Sequence, residues 1–202
     1  MKALAGILIT VSVITHAQPY LRIAEEHFRI GQIAYSKGAY VEAAAHVSKA
    51  IAANPVYAEA YLARARAYEK LHEPERALMD YNLCLEILPD QYEVLFSRAV
   101  LRYELKLYPL AHDDFRQLLR LPHGETNTVY YKQSAHQPGT VEILTLHSSN
   151  KAQLYHYLGL IELAMNNCGR SIQLLDSAIL LNNTDPDFYS NRALARQQCK
   201  DE

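Results

Sequence analysis

Several residue types are absent or scarce in this sequence, and each shortage argues against a class of function. The 202 residues include no Trp, seven Gly and three Cys. So few glycines disfavour the glycine-rich loops that cradle phosphate groups, and they favour helices instead. The net charge is −2, and no block of Lys or Arg occurs. Because nucleic-acid binding requires a positively charged stripe, we expect no nucleic acid among the partners.

The sequence also lacks the residue patterns that carry catalysis or bind metals. It contains no Cys-x-x-Cys, His-Glu-x-x-His, Gly-x-Ser-x-Gly or P-loop pattern, and its nine His are scattered. Acidic residues such as Glu25 and Glu26 are typical of the solvated face of a helix. We therefore expect no catalytic site, no metal site and no cofactor, which means that the sequence predicts a protein that is not an enzyme.

The N-terminal segment, residues 1–17, differs from the rest of the chain. Lys2 is followed by a mainly apolar run from Ala3 to Thr15, and small residues occupy the two positions that a signal peptidase reads before a cut after Ala17. This arrangement is typical of a secretory signal peptide. The apolar run is too short for a permanent transmembrane helix. We expect an exported protein, periplasmic or secreted, with no stable membrane span after cleavage; the alternative is a buried N-terminal helix.

A repeat with a period of 34 residues organises most of the chain. Each period contains strong helix formers with apolar residues at helical spacing, which predicts two helices. A Pro ends the second helix because proline cannot continue the hydrogen-bond ladder. A small residue in each helix indicates a close approach of the two. The series that keep the period are Pro55 and Pro89; Ala43, Ala77 and Ala111; Gly31, Ala65 and Ala99; Val47, Tyr81 and Phe115; and Arg64 and Arg98.

This pattern resembles the tetratricopeptide repeat. In that family a small residue stands at place 8 of each repeat, and Ala, a bulky residue and Pro stand at places 20, 24 and 32. The resemblance implies an all-α, right-handed superhelix of helix-turn-helix repeats, because repeats that cannot bury their faces alone stack on one another. We predict one repeat domain, 18–202, with repeats one to four at 24–57, 58–91, 92–125 and 152–185, and a capping helix at 186–202.

An insert separates repeat three from repeat four. At about 126–148 the residues alternate between β-branched and aromatic types around a Gln-Pro-Gly sequence, which is typical of two strands and a turn. We predict strands at Thr128–Gln133 and Thr140–His147, joined by a turn at Ser134–Gly139. The resulting β-hairpin is expected to dock at the edge of the groove of the superhelix. Whether it is a lid, a binding edge or decoration is left open.

Charged residues recur inside two of the repeats. Arg64 and Arg98 stand at place 7, where the helix faces its partner, and an Arg in that position needs a counter-charge. Asp80 and Asp114 follow each of them at the same spacing, and repeats one and four lack both charges. We predict structural pairs Arg64–Asp80 and Arg98–Asp114 between helices. The functional alternative is an anionic ligand held by the two Arg residues.

By the same resemblance, the first helix of each repeat lines an inner groove that carries function. Exposed apolar patches of this kind usually mark a binding site, although some of the residues could instead pack beneath a neighbouring helix or the insert. The predicted groove residues are Phe28, Gln32, Tyr35, Leu62, Arg66, Glu69, Phe96, Val100, Tyr103 and His156. Members of the family that bind chaperone tails clamp a carboxylate with Lys, Asn and Arg side chains. This sequence lacks that clamp, since its places hold Phe28, Gln32, Ala63, Glu93 and Ser97.

We therefore predict a non-enzymatic scaffold or adaptor that binds a protein or peptide in its concave groove in an exported compartment. The alternative is an architectural subunit of an envelope complex, binding through its convex face or its ends. Of the three Cys, Cys84 is expected to be buried and reduced. Cys168 and Cys199 lie near the turn-side ends of helices in adjacent repeats, and a disulfide between them is possible.

Overall fold

Helices make up most of the computed structural model, which describes residues 2–121, 128–133, 141–146 and 150–200. Each predicted repeat contains two of them, and the last predicted helix follows alone. The helices are α1 (Lys2–Ser36), α2 (Tyr40–Ala53), α3 (Ala58–Lys70), α4 (Pro74–Ile87), α5 (Tyr92–Glu104), α6 (Tyr108–Arg120), α7 (Asn150–Ala164), α8 (Cys168–Leu181) and α9 (Pro186–Gln198).

The chain divides into an N-terminal half, 1–101, and a C-terminal half, 102–202, with the boundary inside α5. In the N-terminal half, α2 packs against both α1 and α3, and α3 packs against α4. In the C-terminal half, α7 packs against α6 and α8, and α8 packs against α9. Second helices such as α2 and α8 therefore lie between two first helices within each half, which is how stacked repeats bury faces that they cannot bury alone.

The turn between the two helices of each repeat has one recurring geometry. At place 15 the backbone enters the left-handed region, with φ values of 78° at Gly38, 58° at His72, 59° at Lys106 and 62° at Asn166. The next amide then bonds back across the helix end, as in the 2.8 Å bond from Asn167 N to Glu162 O. This satisfies carbonyl groups that the end of a helix otherwise leaves unpaired. Repeat four therefore has the same turn as the others, although it lacks the Pro at place 32.

The small residue at place 8 lets the two helices of a repeat approach closely. A Cβ atom on Gly31 would lie 2.6 Å from Val47 Cγ2, and one on Gly159 would lie 2.8 Å from Leu175 Cγ. Ala65, at the same place of repeat two, is fully buried. Because the bulky residue at place 24 fills this contact, the small and large series of the sequence pattern are two sides of one packing arrangement.

The insert contains two strands, β1 (Thr128–Gln133) and β2 (Val141–Leu146). They are antiparallel, with Thr128 opposite Leu146 and Gln133 opposite Val141. The first strand has the predicted bounds, and the second is one residue shorter at each end than the predicted 140–147. The predicted turn residues lie outside the described residues, as do the side chains that would dock the hairpin on the groove.

The first helix begins well before repeat one. It starts at Lys2 and contains Pro19, so that the predicted signal segment and the first helix of repeat one form one continuous element. Side chains are described only from Pro19 onward. Among the described residues, no helix combines the length and the apolar character that a membrane crossing requires.

Candidate partner-binding groove

A cleft of about 220 Å³ opens between α1 and α3 in the N-terminal half, with α2 beneath it. Three predicted groove residues, Gln32, Tyr35 and Arg66, meet there. They form a polar rim around a floor of small and aliphatic side chains. The complete lining is Gly31, Gln32, Tyr35, Ala43, Val47, Ala63 and Arg66.

Helical spacing explains why these residues share one cleft. Residues 31 and 35 stand four apart on α1, and Ala63 and Arg66 stand three apart on α3, so that each pair lies on a single helix face. Gly31 contributes no side chain, and Val47 packs directly against its backbone at the floor of the cleft.

The charge at this cleft comes from Arg66. Its guanidinium donates a hydrogen bond to Glu93 of α5, and the side chains are 38% and 68% exposed. An ion pair so open to solvent contributes about 0–1 kcal/mol. Because little energy is lost when such a pair opens, a partner carboxylate could compete with Glu93 for Arg66.

Other predicted groove residues of the N-terminal half lie outside this cleft and are partly buried. Phe28 lies on a buried cluster of Val47, Ala50 and Ala60, and its ring centroid is 4.9 Å from that of Tyr57. Such a position makes Phe28 a packing residue of repeat one. Leu62, Glu69, Phe96 and Val100 are partly buried.

Two of these side chains have further neighbours within the N-terminal half. The ring of Phe96 stacks on Tyr92 at a centroid distance of 6.3 Å. Glu69 lies near the fully buried Tyr81, and burial, with the Glu69 charge acting in the same direction, raises the pKa of the Tyr81 phenol. Neither Phe96 nor Glu69 lines the cleft.

The C-terminal half contains the other two predicted groove residues. The Tyr103 ring lies 5.7 Å from Tyr157, and burial raises the pKa of Tyr103. His156 Nε2 lies 2.8 Å from the amide nitrogen of Asn191, and its ring lies 4.7 Å from Phe188. Burial lowers the pKa of His156. His156 thus joins α7 to α9.

The predicted pair Arg64–Asp80 of repeat two is present as a bidentate ion pair. Arg64 Nε and NH2 donate to the two carboxylate oxygens of Asp80, each at 2.7 Å, and NH1 donates to Ser48 Oγ at 3.0 Å. All three guanidinium nitrogens therefore have protein partners, which favours the structural role over an anionic ligand.

Arg98 and Asp114, the residues of the second predicted pair, each have a different bonding partner within their own half. Asp114 accepts a 2.7 Å bond from Arg102, at place 11 of repeat three. Arg98 donates to Asn82 at 2.8 Å. The predicted pair Arg98–Asp114 would link residues of different halves, and it stays a prediction. The sequence pattern missed Arg102 because place 11 varies in residue type among the repeats.

The repeat pattern also did not single out Glu162, a buried carboxylate in the C-terminal half. Glu162 accepts a 2.7 Å bond from Asn167, and its Oε1 lies 3.0 Å from Arg170 Nε and 3.4 Å from His112 Nε2. The contacts tie α6, α7 and α8 together beside a pocket of about 480 Å³. Within the described residues, no cluster of three or more His, Cys, Asp or Glu could hold a metal ion.

Two of the three cysteines form a disulfide, and the third is a free thiol. Cys168 and Cys199 form a disulfide whose Cα atoms are 5.6 Å apart, joining the start of α8 to the end of α9. Cys84 is free and buried, and burial raises the pKa of its thiol. A raised pKa disfavours the reactive thiolate, so Cys84 acts as a small apolar residue of the core.

Comparison with known proteins supports the class that this architecture defines. The tetratricopeptide repeat family model matches residues 58–91, the range that the period predicts for repeat two. Residues 58–91 therefore match a tetratricopeptide repeat, and the recurrence of the same helix pair and turn in the other predicted repeats supports a tetratricopeptide-repeat architecture. Such repeats typically mediate protein–protein interaction, and the family is generally non-catalytic.

Solved structures share this fold at low sequence identity. MamA from Desulfovibrio magneticus RS-1 gives a TM-score of 0.69 at 15% identity, covering 88% of this chain and 86% of that one. PilF of Pseudomonas aeruginosa gives a TM-score of 0.62 at 17% identity, covering 91% of this chain and 72% of that one. At these identities the likeness concerns the fold alone.

Curated relatives match about half of the chain. Hsp70-Hsp90 organizing protein 1 of Glycine max is 29% identical over 99 residues, which cover 49% of this chain and 17% of the relative. A FAM10 family protein of Arabidopsis thaliana is 34% identical over 100 residues, which cover 50% of this chain and 23% of the relative. The chain spans less than a quarter of the length of these relatives.

Proposed function

We propose that the protein is a non-enzymatic adaptor that binds a protein or peptide partner in the groove of its N-terminal half. The observation that carries this proposal is the cleft where Gln32, Tyr35 and Arg66 surround an apolar floor. A concave, mainly apolar site with a few convergent polar groups is the usual form of a ligand site. The size of the cleft fits a single anchoring side chain of a partner rather than a large cofactor.

The residues that line the cleft indicate which kind of partner side chain it would bind. Gly31, Val47 and Ala63 would contact an apolar side chain, while Arg66 would bind a carboxylate nearby in the partner. A chaperone tail held by a carboxylate clamp is not the expected partner, although two relatives are named Hsp70-Hsp90 organizing proteins. The clamp needs cationic side chains at places where this chain has Phe28 and Glu93.

Photo-crosslinking in the native host would identify the partner. A crosslinking residue at position 32 should capture it, whereas one at the exposed Glu86 of α4 should not. With that partner, Tyr35→Ala and Arg66→Ala should each weaken binding by about tenfold or more, since anchoring residues dominate binding energy. Helical content should stay unchanged. Equal capture at both positions, or unchanged affinity of both variants, would remove the cleft from the binding surface.

An architectural role is the second candidate. It is favoured by exposed side chains of α9, such as Tyr189 and Leu194, which offer a contact surface outside the groove. Binding by both surfaces is compatible with a scaffold. A partner that protects only α9 from hydrogen exchange, and not α1 and α3, would favour the architectural role over the groove.

We also propose that the protein is exported and that residues 1–17 are removed. Two features support this beyond the signal pattern. The disulfide between Cys168 and Cys199 is of the kind that persists in oxidising compartments. Cleavage after Ala17 would move Pro19 from the interior of α1 to its first turn, where proline is tolerated. N-terminal analysis of the mature protein should find Gln18 first, and a chain that retains Met1 or Lys2 would contradict export.

A further inference from the structure

Two histidines that are 19 residues apart in the sequence face each other across the contact between α1 and α2. The Nδ1 atom of His27 on α1 lies 3.4 Å from the Nδ1 atom of His46 on α2. The ring centroids are 5.5 Å apart, farther than the nitrogens, so that the two nitrogens point into the gap between the rings. Both side chains are partly buried, because α1 packs against α2. The fold thus brings together two side chains that no sequence motif connects.

This pair stands where two other repeats have an ion pair. His46 is at place 23, and the residues at this place in repeats two and three, Asp80 and Asp114, each accept a 2.7 Å bond from an Arg side chain. Repeat one has Ile30 in place of Arg at place 7, and His27 at place 4 faces place 23 instead. Where the other two repeats neutralise a charge, repeat one presents two nitrogens that can bind a metal ion.

A hydrogen bond between the two rings uses these nitrogens poorly. One Nδ1 could donate a proton to the other, but 3.4 Å is well beyond the usual separation of about 2.9–3.0 Å for such a bond. By contrast, His156 and Asn191 in the C-terminal half are 2.8 Å apart. Little energy is therefore lost when an ion takes the place of the shared proton.

The separation of the two nitrogens suits a tetrahedral metal ion. Zinc binds histidine nitrogens at about 2.0–2.1 Å, and two ligands of one tetrahedral ion are then about 3.3–3.4 Å apart. The two Nδ1 atoms already have this separation. Adjacent ligands of a square-planar copper ion, at the same bond length, would be about 2.8–3.0 Å apart. The geometry therefore favours zinc, although imidazole is a ligand for both metals.

We propose that His27 and His46 bind one Zn²⁺ ion through their Nδ1 atoms and that this ion joins α1 to α2. Within the part of the chain that the structure describes, no third His, Cys, Asp or Glu completes a metal-binding group. Two coordination positions therefore remain for water, which makes this an open site and not a closed structural one.

The charged groups around the pair are of both signs. On α1, the neighbouring Glu26 accepts a 2.8 Å hydrogen bond from Arg29. On α2, Glu42 stands four residues before His46 and Lys49 three residues after it, and both are exposed. Because neither sign dominates, the affinity for zinc depends on the imidazole nitrogens and not on the local field.

Zinc titration of the full, disulfide-bonded chain tests the site. Calorimetry should show saturable binding of one ion per chain, and zinc should raise the midpoint of thermal unfolding because it binds the folded protein. His27→Gln and His46→Gln should each lower the affinity by about 100-fold or more, since even changes to groups that support a metal ligand cost about 10–100-fold. The matched control is His72→Asn at an exposed turn, where Asn tolerates the left-handed backbone, and it should leave the affinity unchanged.

A carboxylate at position 46 separates zinc binding from packing. His46→Asp introduces the residue type that repeats two and three carry at place 23, and a carboxylate oxygen is itself a zinc ligand. This variant should bind zinc more weakly than the natural chain but more tightly than His46→Gln, with the helical content of all three unchanged by circular dichroism. Equal affinities for the two variants would show that the side chain at position 46 is not a ligand, and would overturn the proposal.

The number and identity of the ligand atoms can be measured directly. Zinc should shift the ¹⁵N resonances of both Nδ1 atoms in NMR spectra. A ligand imidazole must be neutral, so at pH values where free imidazoles are protonated the affinity of a site with two histidines falls by about 100-fold per pH unit, against about tenfold for one. Lack of saturable binding would mean that the two rings form only a hydrogen bond. Undiminished binding by a chain that carries both Gln changes would place the zinc elsewhere, and either result overturns the proposal.

Discussion

At the residue scale, Asp80 supplies a buried charge to the contact between α3 and α4. It is buried and binds both Nε and NH2 of Arg64, and this hydrogen bonding raises the pKa of the guanidinium. Asp80→Ala would leave the partly buried Arg64 without its counter-charge. We expect the free energy of unfolding to fall by about 3–5 kcal/mol, as when a buried pair loses one partner.

Urea unfolding measures this loss. Asp113→Ala is the matched control, because Asp113 is exposed and its replacement should change the free energy of unfolding by less than about 0.5 kcal/mol. A similarly small loss for Asp80→Ala would show that Arg64 is solvated without its partner, and would reopen the role of Arg64 in binding an anionic ligand.

The sequence could predict the contact between Arg64 and Asp80 because both charges recur with the period and are absent together elsewhere. It could not predict the contact between Arg102 and Asp114, since Arg102 stands at a place where the other repeats have Ala34, Tyr68 and Glu162. A repeat pattern reveals interactions that recur, whereas interactions made once depend on the packing of particular helices. The cluster around Glu162 could not be predicted either, because it also occurs only once among the repeats.

At the scale of elements, the contact between α7 and α9 should respond to pH. Burial lowers the pKa of His156 from its ordinary value of 6.5, and the charges of Asp185 and Asp187 oppose this shift. The folded state therefore favours the neutral imidazole. In the unfolded chain the group takes up a proton at higher pH than in the folded protein. The contribution of His156 to stability is thus full above pH 6.5 and is lost as the pH falls through its folded pKa.

We expect the free energy of unfolding to decrease more between about pH 7.5 and about pH 5 in the natural chain than in His156→Gln. The Gln side chain can still accept a hydrogen bond from Asn191 but does not titrate. Urea unfolding at a series of pH values measures the difference. Parallel pH profiles for the two proteins would show that protonation of His156 is not linked to folding.

The helices could be predicted from the sequence, whereas the conformation of the turns between them could not. The period predicted the helix pairs because small and bulky residues, such as Gly31 and Val47, must meet in every repeat. The shared turn could not be found in the same way. Its left-handed residue is a Gly only at Gly38, while His72 and Lys106 adopt the conformation without that signal. Backbone hydrogen bonds across the end of the helix hold these residues in the left-handed conformation, and no particular residue type is required for such bonds.

At the scale of the whole molecule, the chain divides into two compact halves with the boundary inside α5, and the prediction of one repeat domain over 18–202 stays a prediction. The predicted groove residues fall in both halves, and within the described part of the chain Gln32, Tyr35 and Arg66 line a common cleft. Place numbers indicate which face of a helix a residue occupies. They do not indicate how far a neighbouring side chain covers it, as the packing of Phe28 against Tyr57 shows.

The disulfide gives a test of how stability is distributed over the molecule. Cys168 and Cys199 are 31 residues apart in the sequence and lie wholly in the C-terminal half. A crosslink that closes a loop of this length stabilises by about 3–4 kcal/mol in the chain-entropy model. Because local openings in a protein differ in free energy, we expect reduction to increase amide exchange in α8 and α9 while α1 to α4 keep their protection.

Hydrogen exchange before and after addition of a phosphine reductant measures this effect. The control is a chain carrying Cys168→Ser and Cys199→Ser, which should match the reduced protein and should not respond to the reductant. Faster exchange throughout both halves would mean that the molecule opens as one cooperative unit, and unchanged exchange of α9 would mean that its packing through Phe188 is sufficient without the crosslink.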